Sequence, residues 1–175
     1  LKERNLPINN LYLYASQKSA GENVKFCNKN YTVIELKKEN ILDKHIDIAI
    51  LSAGASVSKE FAPIFAKNHT IVVDNSSCWR TTTEVPLVVP EVNLQAAFGQ
   101  GNLIANPNCS TIQSVIPLAV IDRLFRAKRV IYTTYQAVSG SGYEGVEDLL
   151  RTQRGEEGTF YPKPIADNCL PHIDS

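Results

Sequence analysis

Two short apolar runs constrain this chain more than any other feature. "IDIAILSA" (46–53) and "TIVVDNSS" (70–77) are continuous enough to read as strands buried on both faces. The segment between them, "SVSKEFAPIFAKN" (56–68), places Val57, Phe61, Ile64 and Phe65 at helical spacing. Ser56 is its expected N-cap, and Pro63 predicts a kink or a late start. Strand, helix, strand in this rhythm predicts a parallel sheet with crossover helices. "NLYLYAS", "YTVIEL" and "LIAN" add further strands. Such sheets bind ligands at the carboxyl ends of their strands. The segments that matter are therefore "ASQKSAG", "LSAGAS", "VDNSSCWR" and "ANPNCST".

After Phe125 the pattern changes. "AKRVIYTTYQAVSG" alternates weakly and is rich in β-branched and aromatic residues, which predicts a half-exposed strand. "GVEDLLRTQRG" predicts a short helix with a Gly stop, and "TFYPKPIADNCLPHIDS" a proline-rich loop. We place a domain change near Asn108.

Composition closes off several function classes. Lys plus Arg equals Asp plus Glu at 18 each, so the chain carries no electrostatic footprint for nucleic acid or an anionic membrane. No apolar run approaches the ~20 residues of a membrane span, and the N-terminus is not a signal peptide. The four cysteines, Cys27, Cys78, Cys109 and Cys169, form no C-x-x-C pair. This predicts reduced thiols in a cytoplasmic setting and no metal site. The chain has no Met, which suggests an excised segment of a longer protein.

The strand ends carry the candidate chemistry. Cys109 stands between "LIANPN" and a helical pattern apolar at Ile112, Val115, Ile116, Ala119 and Val120. A helix N-terminus lowers a thiol's pKa, so Cys109 is either a nucleophile or a packed thiol. Pro117 predicts a kink or restart in that helix. Arg80, beside Asn75 and Ser76, suits an anionic group or solvent. Gln136 is an amide where a hydrophobe would be easier to explain. "SAGAS" (52–56) joins strand to helix as a dinucleotide-binding edge or a plain turn does, and "SGSG" (139–142) opens a helix where backbone N–H groups can meet a phosphate. In "SQKSAG", Ser16, Lys18 and Ser19 precede any acid, which in a dinucleotide fold favours a 2′-phosphate. The scattered His45 and His69 read as surface residues, and no Cys–His pair emerges from spacing.

In order along the chain, "ASQKSAG", "ILSAGASVSKEFAP", "VDNSSCWR", "PLVVPEVN", "NPNCSTIQ", "YQAVSGSGYEGV" and "LPHID" resemble the aspartate-β-semialdehyde dehydrogenase family. The resemblance implies an α/β fold: a Rossmann-type NADP-binding domain over 1–107, lacking its first Gly-rich βα unit, then over 108–175 the start of an α+β catalytic and dimerisation domain. It implies NADPH-dependent reduction of L-aspartyl 4-phosphate to the 4-semialdehyde, with release of inorganic phosphate. That step serves lysine, threonine, methionine, isoleucine and diaminopimelate synthesis, in a homodimer or homotetramer. Cys109 would be the nucleophile, Gln136 would orient substrate beside it, and Arg80 and Asn108 would bind the phosphoryl group. Ser16, Lys18 and Ser19 would hold the 2′-phosphate end of NADP. Ser52, Ala53 and Gly54 would contribute to the cofactor site, and Ser139, Gly140, Ser141 and Gly142 would hold the cofactor's inner end. Lys18 stands where the family often has arginine. His172 matches the "PHID" element and not the catalytic base. The base and the substrate-carboxylate arginine are expected beyond Ser175, so the segment alone is expected to be inactive. N-acetyl-γ-glutamyl-phosphate reductase, a non-catalytic homologue and a cysteine hydrolase are the competing readings.

Overall fold

The computed structural model describes residues 2–171. The chain divides into two compact units, one ending at Ala127 and the other starting at Lys128. The first is built on two three-stranded sheets. Strands β4 (Ile48–Leu51), β5 (Ile71–Asp74) and β6 (Leu103–Ala105) are parallel in the order β4-β5-β6, with Leu51 opposite Asp74 and Asp74 opposite Ala105. Their carboxyl ends therefore form one edge. In the other sheet, β1 (Leu13–Ala15) runs parallel to β3 (Lys29–Glu35), and β2 (Asn23–Phe26) runs antiparallel to β3.

The β2–β3 hairpin departs from the all-parallel expectation. Cys27 and Asn28 both take positive φ, 48° and 64°, as a two-residue turn of the I′ kind requires. β3 contains all but the last residue of the expected "YTVIEL" strand, whereas β2 is short and largely exposed, so no apolar run announces the hairpin's other half.

Helix α2 (Ala55–Lys67) crosses from β4 to β5 and packs on β4, β5 and β6. It begins earlier than expected: its N-cap is Gly54, at φ 93°, and not Ser56. A positive φ suits glycine, and no side chain caps the helix. Pro63 lies inside one unbroken helix. Beneath it, Ile41 of α1 (Lys38–Leu42), Ala49, Leu51, Ala62, Phe65 and Val72 form the core, with Tyr14, Ile64 and Leu103 packed against them. Tyr14 meets Phe65 edge-on at 6.0 Å and donates its hydroxyl to the Asn40 carbonyl at 3.0 Å, so β1 is tied into the same core.

The strands are covered on one face only, against expectation. Along β4 burial alternates: Ala49 and Leu51 are covered, whereas Ile48 and Ile50 are 61% and 63% exposed. The run is continuous in hydrophobicity, but α2 lies on one side, and among the described residues no helix covers the other.

Past β5, the short α3 (Pro90–Asn93) leads to β6, and α4 (Cys109–Phe125) follows. Helix α4 runs unbroken through Pro117 with none of its residues fully buried. In the second unit, α5 (Tyr143–Gln153) follows a 3-10 turn over Val138–Ser141, and Gly155 takes φ 76° just beyond it. The half-exposed strand expected near 129–137 does not form. Residues 126–137 are exposed and belong to no strand ladder among the described residues.

Candidate active site

The polar residues at the carboxyl edge of β4-β5-β6 are laced to one another. Asn106, just past β6, donates its backbone N–H to the Asp74 carbonyl at 2.8 Å and its Nδ2 to Asn75 Oδ1 at 2.7 Å. Asn75 in turn reaches Ser52 Oγ at 3.5 Å. Arg80 spans the same edge, with Nε donating to the Asn106 carbonyl and Nη2 to the Asn75 carbonyl, both at 3.0 Å. A guanidinium has more N–H groups than these bonds use, so Arg80 is fixed by the backbone of two strand ends while retaining donors for an anion.

The turn that carries Arg80 is held from below. Ser76 Oγ donates to the buried Asp74 Oδ2 at 2.6 Å and accepts from the Cys78 N–H at 3.2 Å. Trp79 Nε1 donates to Ser58 Oγ of α2 at 2.8 Å. Burial, and then the Asp74 charge, push the Cys78 thiol up, which favours its protonated form.

Cys109 is the first residue of α4 and is exposed. Asn108 caps the helix: its Oδ1 accepts from the N–H groups of Ser110 at 3.0 Å and Thr111 at 3.3 Å. That bonding commits Oδ1 to the first turn of the helix, as an N-cap requires. The thiol thus stands at the positive end of a 17-residue helix, three residues after the Asn106 that anchors Arg80. Gln113 Nε2 donates to the Cys109 carbonyl at 2.9 Å.

The remaining candidates occupy turns. Ser16 and Lys18 are exposed at the end of β1, in a turn closed by Ser19 N–H to the Ser16 carbonyl at 3.0 Å. Ser52, Ala53 and Gly54 are exposed where β4 passes into α2. A Cβ at Gly54 would meet nothing within 4 Å, so the space beside that backbone is open. Gln136 and residues 139–142 belong to the second unit. Gln136 is exposed in the extended segment, and residues 139–142 form most of the turn before α5, whose N-terminus no side chain caps.

His45 and His69 are exposed, as expected, and His45 pairs with Asp47 at 3.4 Å. His172 lies outside the described residues. Sequence reasoning missed Asn106, the hub of the edge, and Asp148 and Tyr161, which hold the turn before α5. For Asn106 the signal was its place at the end of an apolar strand, in line with Asn75.

Comparison with known proteins matches two segments of the chain, the second beginning within α4. Residues 1–100 match the description semialdehyde dehydrogenase, NAD binding domain, and residues 118–175 match semialdehyde dehydrogenase, dimerisation domain. The chain is 52% identical to an aspartate-semialdehyde dehydrogenase of Aquifex aeolicus over 99% of its own length and 54% of that protein's. It is 43% identical to one from Helicobacter pylori, over 97% and 54%. Aspartate semialdehyde dehydrogenase II of Vibrio cholerae, solved in complex with ASA, superposes with a TM-score of 0.87 at 38% identity, covering 100% of this chain and 54% of that one. The chain spans about half the length of the curated relatives it matches.

Proposed function

The chain belongs to the semialdehyde dehydrogenase family, and from that premise we propose that the intact protein is an NADP-dependent aspartate-semialdehyde dehydrogenase that works through an acyl-thioester on Cys109. The observation that carries this reading is the placement of the thiol: first residue of α4, behind the Asn108 cap, and following directly on an edge where Arg80 is fixed with donors to spare.

The reaction divides between these groups. The Cys109 thiolate attacks the acyl carbon of aspartyl 4-phosphate, a C–S bond forms, and the C–O bond to phosphate breaks. Arg80 and the Asn108 amide hold the phosphoryl oxygens as charge builds on the leaving group, and Gln136 orients the acyl group beside the thiol. A bound NADPH would supply hydride to the acyl carbon, which Cys109 would hold as the thioester and then release as the aldehyde by leaving as thiolate.

The residues present fit such a cofactor. Gly54 leaves open space beside backbone at a strand end, α2 and α5 have N-termini without side-chain caps, and Lys18 is an exposed cation in the turn after β1. Ser16, Lys18 and Ser19 would take the 2′-phosphate, Ser52–Gly54 the backbone-facing portion, and Ser139–Gly142 the inner end. The catalytic domain is read as opening at Asn108, and the protein as a cytoplasmic homodimer or homotetramer. No helix among the described residues is long and apolar enough to cross a membrane.

The test is phosphate-dependent reduction of NADP by the intact protein. Aspartate 4-semialdehyde is expected to be the substrate; turnover restricted to N-acetylglutamate 5-semialdehyde would overturn the choice.

A further inference from the structure

Residues 139–142 are all exposed, and what seats them lies about twenty residues further on. The Tyr161 hydroxyl bonds Ser141 Oγ at 2.9 Å. Gly145, buried in the first turn of α5, marks how closely these groups meet. A Cβ there would come within 2.8 Å of Ser141 Cβ and 2.9 Å of both Tyr161 Oη and the Val138 carbonyl oxygen. The turn, the helix and the phenol converge where no side chain fits.

Tyr161 is itself held by Asp148, a carboxylate of α5 only 1% exposed. Asp148 Oδ1 accepts from the N–H groups of Thr159 and of Phe160, the latter at 2.9 Å, and Oδ2 accepts from the Tyr161 N–H at 3.3 Å. Gly158 passes directly over this carboxylate, where a Cβ would lie 3.0 Å from Oδ2. The Phe160 and Tyr161 rings meet edge-on at 4.9 Å, which restrains the phenol further.

The direction of the Tyr161–Ser141 bond matters. A phenol is far more acidic than an alcohol, so Tyr161 is the donor and Ser141 the acceptor. Ser141 then keeps its own proton. Resting on the reading of residues 139–142 as part of the cofactor site, we propose that Tyr161, fixed by Asp148, is a positioning residue that aims the Ser141 hydroxyl proton at an acceptor oxygen of the bound dinucleotide.

Titration of the intact protein with NADPH, followed by cofactor fluorescence, tests this alongside steady-state kinetics on Tyr161→Phe, Ser141→Ala and the double variant. Each single change is expected to weaken NADPH binding about tenfold, the worth of one hydrogen bond to a charged group. The KM for NADP should rise more than kcat falls, and the double variant should bind no worse than either single one. Unchanged melting temperatures would separate aiming from folding. Weakened binding in Ser141→Ala with wild-type binding in Tyr161→Phe overturns the proposal and leaves the cofactor reading standing, as does a double variant whose losses multiply. Wild-type binding by Ser141→Ala, or no NADPH binding by the unaltered protein, removes the cofactor reading of this turn and the proposal with it.

Discussion

At the edge of β4-β5-β6, Asn75, Arg80 and Asn106 hold one another. In the second unit, residues 139–142 are held by Tyr161 and, through it, by Asp148. The first arrangement is a closed network built on strand ends that parallel pairing already aligns. The second hangs a turn on one buried carboxylate that gathers the backbone of 159–161. A side chain lost from the edge breaks bonds between strand ends while the sheet persists. A side chain lost from the clamp releases a stretch of backbone that has no sheet behind it.

Four changes probe that contrast. The largest expected effect comes from the proposed nucleophile: Cys109→Ser should lower kcat of the intact protein by at least about a thousandfold. Titrated NADPH should still bind within about twofold, since the proposed cofactor-anchoring groups do not include the thiol. Next is Arg80→Lys, which keeps the charge but cannot bond both strand-end carbonyls and an anion together. The KM for phosphate should rise about tenfold or more. Stability should fall by only about 1–2 kcal/mol, measured by urea denaturation; a collapse of the fold would show that the edge does not support itself.

The clamp responds to acid. The N–H groups of Phe160 and Thr159, more than any nearby charge, hold the Asp148 carboxyl below the ordinary carboxylate range. The ionised form therefore favours the folded state. Its stabilisation is complete above the unfolded-state value near pH 4 and is lost as pH falls through the lower folded value. Urea midpoints taken from about pH 6 to about pH 3 should fall less steeply for Asp148→Asn than for wild type; equal slopes would remove the carboxylate from its assigned place. The smallest effect is Gly54→Ala. It forces a Cβ onto a backbone at φ 93° but meets no neighbour, so it should cost about 1 kcal/mol in thermal unfolding.

The sheet edge was legible before the structure because it follows from periodicity. Apolar runs at 46–53 and 70–77 locate the strands, and polar residues after them must then collect at one end. The same periodicity misled about coverage, because hydrophobicity along β4 says what can be buried and not what lies opposite. Ile48 and Ile50 are as apolar as Leu51 and stand open. Ser56 lost to Gly54 as the cap of α2 because the tight exit from β4 requires positive φ, a demand on backbone that outweighs a side-chain preference. β3 was expected from "YTVIEL", but its pairing with β2 was not, because the turn is Cys27-Asn28 and β2 is only four residues long and largely exposed. Asp148 and Tyr161 were out of reach of local patterns altogether: a carboxylate gathering N–H groups 11 to 13 residues away leaves no period in the sequence.

The bond from Trp79 to Ser58 has an optical consequence. Trp79 is the chain's single tryptophan, and it sits next to Arg80 with its indole N–H committed to α2. An anion drawn onto the guanidinium changes the field around a fluorophore one residue away. If the proposed function holds, emission from that one indole is expected to report phosphate added to the intact protein, in the absence of turnover and of any added dye.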